Sequence, residues 1–409
     1  MHRAGKFFAA AIALALLGGM PRVPARRMAS VALAVPRGPY LPGSRLHVNV
    51  TGLFAPFQLQ VLGPGAIDGT TYVVPDVLAP ESATLVVAAP GAAGIADVRL
   101  APAPASAEHL IAVASYDDGI VLHDARTFAI VGYVPIGGAP GDVAIGSDGS
   151  IASPDTDGDS LTIVRRSPWH VSSAAGVALG NEVIADARTG AFFVSDRDAN
   201  GYGALTRVAK DGSVTRARTG VTSEGLALDE RRQIVYVGNV NDASVTAVDA
   251  RTMRVLHRIP AVARAFGMVL DARTRHLFVV SNSSRSMASG GGFVAAIDVG
   301  SPHRRIVARS ARFAFPLGVA LDAGRRRLFV TDEADNTVEV LDERTLRAVR
   351  SPLRTCDTPW RPHVDAASQR LFVPCARSNQ IDVFDLRTLR RAPRAPFATG
   401  GFPLGVATK

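Results

Sequence analysis

The sequence predicts an all-β protein in which most of the chain repeats a pattern of short strands. Three observations lead to this prediction: apolar and polar residues alternate over runs of about six residues, turn-forming residues separate the runs, and the pattern recurs at a regular interval. The chain has 409 residues, of which 47% are hydrophobic and 20% charged. This composition provides enough apolar surface for a large core and argues against extensive disorder.

The segments that open successive repeats align with one another. They are Glu224–Asp229 (EGLALD), Phe266–Asp271 (FGMVLD), Leu317–Asp322 (LGVALD) and Arg361–Asp365 (RPHVD). Their closing aspartates lie 42, 51 and 43 residues apart, and the longer interval contains an extra loop at Asn282–Gly292. A period near 43 residues with about four short strands is the size of one propeller blade. Gly and Ala in these first strands allow neighbouring backbones to approach around one axis.

Two further strand-like runs follow each opening segment. The second runs are apolar, as in Leu328–Val330, and the third runs alternate, as in Thr337–Asp342. Most third runs end in an Asp-x-Arg-Thr tetrapeptide, found at Asp124–Thr127, Asp249–Thr252, Asp342–Thr345 and Asp385–Thr388. Short Asp and Thr side chains hydrogen-bond nearby backbone groups, so we interpret these residues as structural.

The number of first strands predicts seven blades. Six complete repeats begin near Gly141, Asn181, Glu224, Phe266, Leu317 and Arg361. The seventh is split, because Leu110–Ser115, Gly119–Asp124 and Phe128–Val134 have no first strand, whereas Phe402–Ala407 is an isolated copy of Phe315–Ala320. We expect this C-terminal strand to complete the blade and close a propeller over residues 109–409, which removes open sheet edges.

Several of these segments resemble a known repeat family. Pro316–Asp322 (PLGVALD), Leu328–Thr331 (LFVT) and Asn336–Asp342 (NTVEVLD) are similar to the YVTN-type repeat of YncE-like extracytoplasmic proteins. The resemblance covers about residues 109–409 and implies a seven-bladed β-propeller. It leaves the function open, since related propellers include lactonases, binding proteins and scaffolds.

The chain before the repeats contains two other regions. Residues 1–25 combine a basic start, an apolar run (Phe7–Leu17) and small residues at Val23–Ala25, which predicts a signal peptide and a secreted or periplasmic protein. No later run approaches the roughly 20 apolar residues of a membrane span. Residues 30–100 have five or six short strands without the blade period and predict a small immunoglobulin-like sandwich, with a strand-rich extension packed on the propeller as the alternative.

The charge balance says little about a partner. The chain carries 45 Lys and Arg against 36 Asp and Glu, a formal net charge of +9. Cations and acids are interleaved, and no Lys/Arg run follows the pattern of a phosphate-binding tract. We interpret the excess as compositional and expect no nucleic-acid partner.

Candidate ligand residues lie where the loops of a propeller meet at one mouth of its channel. The candidates are Asp196, Glu224, Asn239, Asn282, Asp332, Trp360 and Arg361. Their side chains could bind a polar ligand or a divalent cation such as Ca²⁺, while the alternative is that Asp and Asn cap loops and Trp360 packs between blades. Asp155, Asp157 and Asp159 resemble part of a calcium loop but lack its bidentate Glu, so a plain turn is the alternative there.

Cys356 and Cys375 are the only cysteines, and in an exported protein they predict a disulfide. The sequence contains no assembled motif for zinc hydrolysis, haem attachment, serine hydrolysis or phosphate binding, so the catalytic residues are unknown. The leading hypothesis is therefore a monomeric module that binds a small molecule or a protein at its loop face, with no predicted cofactor. The alternative is a lactonase-like or other metal-assisted hydrolase that uses Asp196, Glu224, Asn239 and Asp332 around a divalent ion.

Overall fold

Short strands joined by tight turns account for all regular structure in the part of the chain that the structure describes. This computed structural model describes residues 29–35, 37–53, 56–90, 92–105, 109–286, 288 and 290–409, and the predicted signal peptide lies outside them. The chain divides into two compact units. The first comprises the described residues up to Ala105 together with Val131–Pro135 and Trp169–Val171, and the second comprises the rest. None of the described segments forms a helix that could span a membrane.

The strand-rich module of the first unit is built from three small sheets. The first sheet contains, in spatial order, Ala29–Ser30, Ala92–Leu100, Glu81–Ala89 and Gln58–Leu62. The second pairs Ala32–Ala34 with Asn49–Thr51. The third contains Arg45–His47, Thr71–Val73 and Ala66–Asp68. The predicted strand at 45–50 is divided between two of these sheets at Val48, whose backbone N–H donates to the carbonyl of Thr70 (2.9 Å). The domain bounds assigned from the sequence, 30–100, stay a prediction.

Seven four-stranded sheets form the blades of the propeller. Blade 1 consists of Ala144–Ile145, Ile151–Pro154, Asp159–Arg166 and Trp169–Ala178. Blade 2 consists of Val183–Ala185, Phe192–Arg197, Tyr202–Val208 and Val214–Val221. Blade 3 consists of Ser223–Asp229, Ile234–Asn239, Ser244–Asp249 and Val255–Pro260. Blade 4 consists of Ala265–Asp271, His276–Ser281, Phe293–Asp298 and Ile306–Arg309. Blade 5 consists of Pro316–Asp322, Arg327–Asp332, Thr337–Asp342 and Leu353–Arg354. Blade 6 consists of His363–Asp365, Arg370–Cys375, Gln380–Asp385 and Phe397–Ala398. Blade 7 consists of Pro403–Thr408, Leu110–Ser115, Gly119–Asp124 and Ile130–Val134. The prediction of an all-β propeller is confirmed.

The first strands of the blades form a closed ring. Each contacts the first strand of the next blade, and Pro403–Thr408 contacts the first strands of both blade 6 and blade 1. The same C-terminal strand pairs antiparallel with Leu110–Ser115, so that Val406 lies opposite Val113. Hydrogen bonds between residues far apart in the sequence therefore complete blade 7.

Phenylalanines of the second strands fill the space between adjacent blades. Phe193, Phe278 and Phe329 are fully buried. Each belongs to an apolar cluster that continues into the second strand of the next blade; Phe329, for example, shares its cluster with Val373. Burial of a side chain of this size contributes about 1.5–3 kcal/mol, so the inter-blade contacts are a major source of stability.

A disulfide joins Cys356 to Cys375, with their Cα atoms 5.6 Å apart. Cys375 ends the second strand of blade 6 and is fully buried in the cluster that contains Phe329, while Cys356 follows the outer strand of blade 5. The bond therefore links the connection between two blades to the core that these blades share.

Deletion of Phe402–Lys409 is expected to lower the unfolding free energy by more than about 3 kcal/mol, because it removes the buried side chains of Leu404 and Val406 and exposes the edge of Leu110–Ser115. Thermal and denaturant unfolding would measure the loss. Deletion of the exposed Lys409 alone is the control, and an unchanged midpoint in the longer deletion would show that the C-terminal strand does not close the ring.

Replacement of both cysteines by alanine is expected to cost about 3 kcal/mol, because the disulfide closes a loop between residues 19 positions apart in the sequence. Denaturant unfolding of the double variant would measure this cost. In the native protein, alkylation under denaturing conditions without reductant should leave both residues unlabelled by mass spectrometry, and two labelled thiols would contradict the bond.

Candidate functional site: the mouth of the central channel

A cavity of about 460 Å³ runs along the axis of the second unit and is lined by the first strands of all seven blades. Most of the lining residues are apolar, Met268 and Val319 among them, but His363 and Thr408 also line the cavity and polar atoms form as much of its wall as apolar atoms. Charged side chains are concentrated where the first strands begin, at Asp142, Glu182 and Arg361. We call this end of the cavity the channel mouth.

Asp142 and Glu182 occupy a position of the repeat at which four other blades have glycine. The glycines are Gly225, Gly267, Gly318 and Gly405. At Gly267 a Cβ atom would lie 2.6 Å from the carbonyl oxygen of Leu317 in the next blade, so glycine is required for the close approach of the strands. Next to blade 1 the missing side chain of Gly405 instead leaves room for the carboxylate of Asp142. The two acids therefore project into space that the repeat otherwise keeps free.

Arg361 connects blade 6 to blades 1, 2 and 3 across the channel mouth. Its Nη1 donates to the carbonyl of Gly141 (2.9 Å), and its Nη2 donates to Oδ1 of Asn181 (2.8 Å). Nε lies 3.5 Å from Oε2 of Glu182, and Nη2 lies 3.9 Å from Oε2 of Glu224. The side chain is only 11% exposed, so its charge is balanced by these carboxylates more than by water.

The carboxylates are held by the backbone as well as by the guanidinium. Oε1 of Glu182 accepts the backbone N–H of Leu226 (3.2 Å), and Oδ2 of Asp142 accepts that of Val183 (3.3 Å). Glu224 accepts a hydrogen bond from the side-chain amide of Asn181. Neighbouring blades thus fix the orientation of each acid before any ligand is present.

Burial raises the pKa of Glu182 to about 8 and that of Asp142 to about 6. The charge of Arg361 opposes both shifts, while repulsion from Asp142 raises the pKa of Glu182 further. Burial also raises the pKa of Glu224. Burial therefore favours the protonated form of both acids, and more strongly for Glu182 than for Asp142. Carboxyl groups perturbed in this way inside a cavity are typical of binding and catalytic sites.

Three of the residues predicted from the sequence, Glu224, Trp360 and Arg361, lie close together. The guanidinium of Arg361 is 5.6 Å from the centre of the Phe266 ring, and the ring of Trp360 packs edge-on against the same ring at 6.4 Å. Phe266 lies in the first strand of blade 4, so these aromatic rings form a contact between residues of blades 4 and 6.

The other four candidates each bond to nearby groups and do not converge. Asp196 accepts from Thr206 Oγ1 (2.7 Å), Asn239 donates to Ser244 Oγ (2.9 Å), Asn282 accepts from Arg264 Nε (3.0 Å) and Asp332 accepts from the backbone N–H of Ala314 (2.7 Å). These contacts match the loop-capping alternative. Within the described ranges, no three His, Cys, Asp or Glu side chains are grouped so that they could hold a metal ion.

The Asp155–Asp159 loop is stabilised by its own backbone. Oδ1 of Asp155 accepts the backbone N–H of Asp157 (3.0 Å), and Asp157 accepts a hydrogen bond from the hydroxyl of Tyr116 (3.3 Å). Gly138 and Gly158 pack directly against the carboxylate of Asp155. This geometry matches the plain-turn alternative.

Asp142, Asn181 and Glu182 were not among the predicted site residues. Most of the predicted residues lie at the ends of second strands or in the loops after them, whereas Asp142 and Glu182 lie just before first strands. The signal was present in the aligned repeats, because an acid replaces the repeat glycine at two positions only.

Comparison with known proteins supports the fold. No protein-family profile and no curated protein sequence matches the chain. A functionally unknown protein from Desulfotomaculum acetoxidans is 14% identical, with 73% of this chain and 99% of that one covered and a TM-score of 0.60. Kuenenia stuttgartiensis hydrazine synthase is 14% identical, with 75% of this chain and 93% of that one covered and a TM-score of 0.58. The dihydro-heme d1 dehydrogenase NirN is 12% identical, with 80% of this chain and 72% of that one covered and a TM-score of 0.52. At these identities the similarity concerns the β-propeller fold alone, and assignment to the YVTN-type family stays a prediction.

Glu182→Gln is expected to remove a pH dependence of stability. Because the pKa of Glu182 is about 8 in the folded protein and about 4.5 in the unfolded chain, folding favours the protonated form. The protonated Glu182 therefore contributes to the unfolding free energy fully below about pH 4.5, and this contribution is lost as the pH rises towards 8. Glutamine does not ionise, so the variant should not lose this stabilisation. Between about pH 5 and pH 9, its unfolding free energy should therefore rise relative to that of the native protein by at least about 1.4 kcal/mol. This energy corresponds to a pKa shift of one unit.

Denaturant titration at several pH values would measure this difference. Glu230→Gln, at an exposed turn of blade 3, is the matched control and should follow the native profile. Parallel profiles for Glu182→Gln and the native protein would show that Glu182 is ionised in the folded state at neutral pH.

Proposed function

We propose that this protein is an exported β-propeller of the YVTN type that binds a small, uncharged polar molecule at its channel mouth. The observation that carries the proposal is the group formed by Asp142, Glu182 and Arg361 at one end of a cavity whose other lining residues are mostly apolar. A cavity with apolar walls and a few converging polar groups is the common form of a small-molecule site.

The hydrogen-bonding groups of the mouth favour an uncharged ligand. The Nε–H of Arg361 offers a donor, and the carboxyl groups of Glu182 and Asp142 offer acceptors and, where burial keeps one of them protonated, a further donor. When burial keeps Glu182 protonated, the guanidinium groups of Arg361 and Arg197 offset the carboxylates of Asp142 and Glu224, and Arg197 lies 3.5 Å from Glu224. A ligand with hydroxyl or carbonyl groups would use both donors and acceptors without adding a net charge to a buried site.

The volume of the cavity fits this ligand class. About 460 Å³ lies within the range of roughly 300–1,000 Å³ that small-molecule pockets occupy. The apolar wall formed by residues such as Met268 and Val319 would contact the carbon skeleton of the ligand, and the channel mouth would fix its orientation.

The proposal of export rests on residues 1–25, whose basic start, apolar run and small cleavage-site residues are typical of a signal peptide. The disulfide between Cys356 and Cys375 supports it, since such bonds persist in oxidising compartments. A secreted or periplasmic location follows from this proposal.

Calorimetric titration with neutral monosaccharides, lactones and amides, alongside ammonium and carboxylate compounds of similar size, would test the ligand class. We expect neutral compounds to bind and Arg361→Lys to weaken the best of them by about tenfold, because lysine keeps the charge but loses the planar donor fork. Arg377→Lys, at an exposed position of the same blade, is the control.

Binding of ammonium or carboxylate compounds only, or equal affinity of the two variants, would contradict the proposal. Circular dichroism would establish that Arg361→Lys is folded. Turnover of a lactone during the titration would instead support the hydrolase alternative.

A further inference from the structure

Three turns of the propeller share the pattern Asp-x-Arg-Thr-x-Arg, although the turn of blade 5 carries an additional acid, Glu343, at its second position. They are Asp249–Arg254 (DARTMR), Asp342–Arg347 (DERTLR) and Asp385–Arg390 (DLRTLR). Each follows the third strand of its blade, in blades 3, 5 and 6. Because adjacent strands of a blade run in opposite directions, these turns lie at the end of the blades opposite to the channel mouth.

The Asp of each turn bonds to the backbone of the turn, and the apolar residue at the fifth position is buried. In blade 3, Oδ1 of Asp249 accepts the backbone N–H groups of Arg251 (3.1 Å) and Thr252 (2.7 Å) and the hydroxyl of Thr252 (2.8 Å). Met253 adopts a left-handed backbone conformation (φ 59°) and its side chain is buried. The turns of blades 5 and 6 repeat these bonds, with Leu346 and Leu389 at the buried position.

The arginines of these turns point outward. The six are Arg251, Arg254, Arg344, Arg347, Arg387 and Arg390, and all are exposed. Among the described residues, none of their guanidinium groups has a hydrogen bond or an ion pair within 4 Å. The carboxylates of the same turns are occupied by backbone N–H groups. The hydrogen bonds of these turns therefore engage the aspartates and leave the guanidinium groups exposed.

We propose that the surface formed by these six arginines, the arginine face, binds a polyanionic polysaccharide. Arginine presents a planar fork of donors that matches carboxylate and sulfate groups, and its charge persists at every physiological pH. Three similar turns on separate blades suit an extended chain with many anionic groups better than one small anion. This proposal concerns a different surface from the channel mouth and does not depend on the proposed ligand there.

The same turns favour a polysaccharide over two other polyanions. An anionic bilayer is usually bound with apolar or aromatic side chains that insert beside the cations, whereas Met253, Leu346 and Leu389 are buried. Single-stranded nucleic acid is usually bound with aromatic side chains that stack on bases, and the three turns contain none.

Titration with heparin, which is sulfated, and with alginate, which is carboxylated, would test the proposal at several salt concentrations. The variant with Arg344→Gln, Arg387→Gln and Arg390→Gln removes three charges from the arginine face and leaves the Asp and Thr of each turn intact. The control variant with Arg218→Gln, Arg309→Gln and Arg350→Gln removes the same charge from exposed positions outside the three turns.

We expect the face variant to bind both polysaccharides about tenfold more weakly, with a smaller dependence of affinity on salt, while the control variant stays within about twofold of the native protein. Equal losses in the two variants would show that net charge alone drives binding. Tighter binding of phosphatidylserine vesicles or of duplex DNA than of either polysaccharide would also overturn the proposal. Equal thermal midpoints of the two variants would establish that both are folded.

Discussion

The close approach of the seven first strands around one axis is the constraint on which the rest of this structure depends. Strands can crowd an axis only if their inward positions carry little bulk, and the repeat provides Gly267 and its counterparts there. The same approach brings the second strands of adjacent blades near enough for Phe193, Phe278 and Phe329 to fill the gaps between them. A bulky residue at the axis would therefore disturb both the channel and the inter-blade core.

Three blades depart from that constraint, because Asp142, Glu182 and Arg361 replace the repeat glycine, and the departure creates the candidate site. Asp142 and Glu182 introduce carboxyl groups into the most crowded part of the molecule, where water cannot solvate their charges fully. Arg361 and the backbone N–H groups of Leu226 and Val183 compensate for part of that lost solvation. Natural proteins usually retain such unfavourable arrangements only where function requires them, which is the physical reason to look for a ligand here.

The sequence predicted the fold more completely than the site. Strand positions followed from local alternation, and runs such as Leu110–Ser115 and Gln380–Asp385 begin and end in the structure where the sequence indicated. Side chains that meet across the axis come from different blades, so no local pattern reports their distances. Glu224 and Arg361 were found because they open first strands, whereas Asp142 was missed because it replaces a glycine whose role was assigned to packing. Asn239 and Asp332 were selected by residue type, yet their hydrogen bonds lie within nearby loops.

Completion of blade 7 by Pro403–Thr408 also has a consequence for how the chain reaches its folded state. Ile111 pairs with Thr408, about 300 residues later in the sequence, whereas the other blades are assembled from neighbouring segments. The entropic cost of joining such distant segments and the non-local nature of the contact both favour late formation of this pairing. Until it forms, the strand Leu110–Ser115 has an unpaired edge, and the ring of first strands around the axis lacks its seventh member. The ring is therefore most vulnerable to strand exchange between molecules during this last stage of folding.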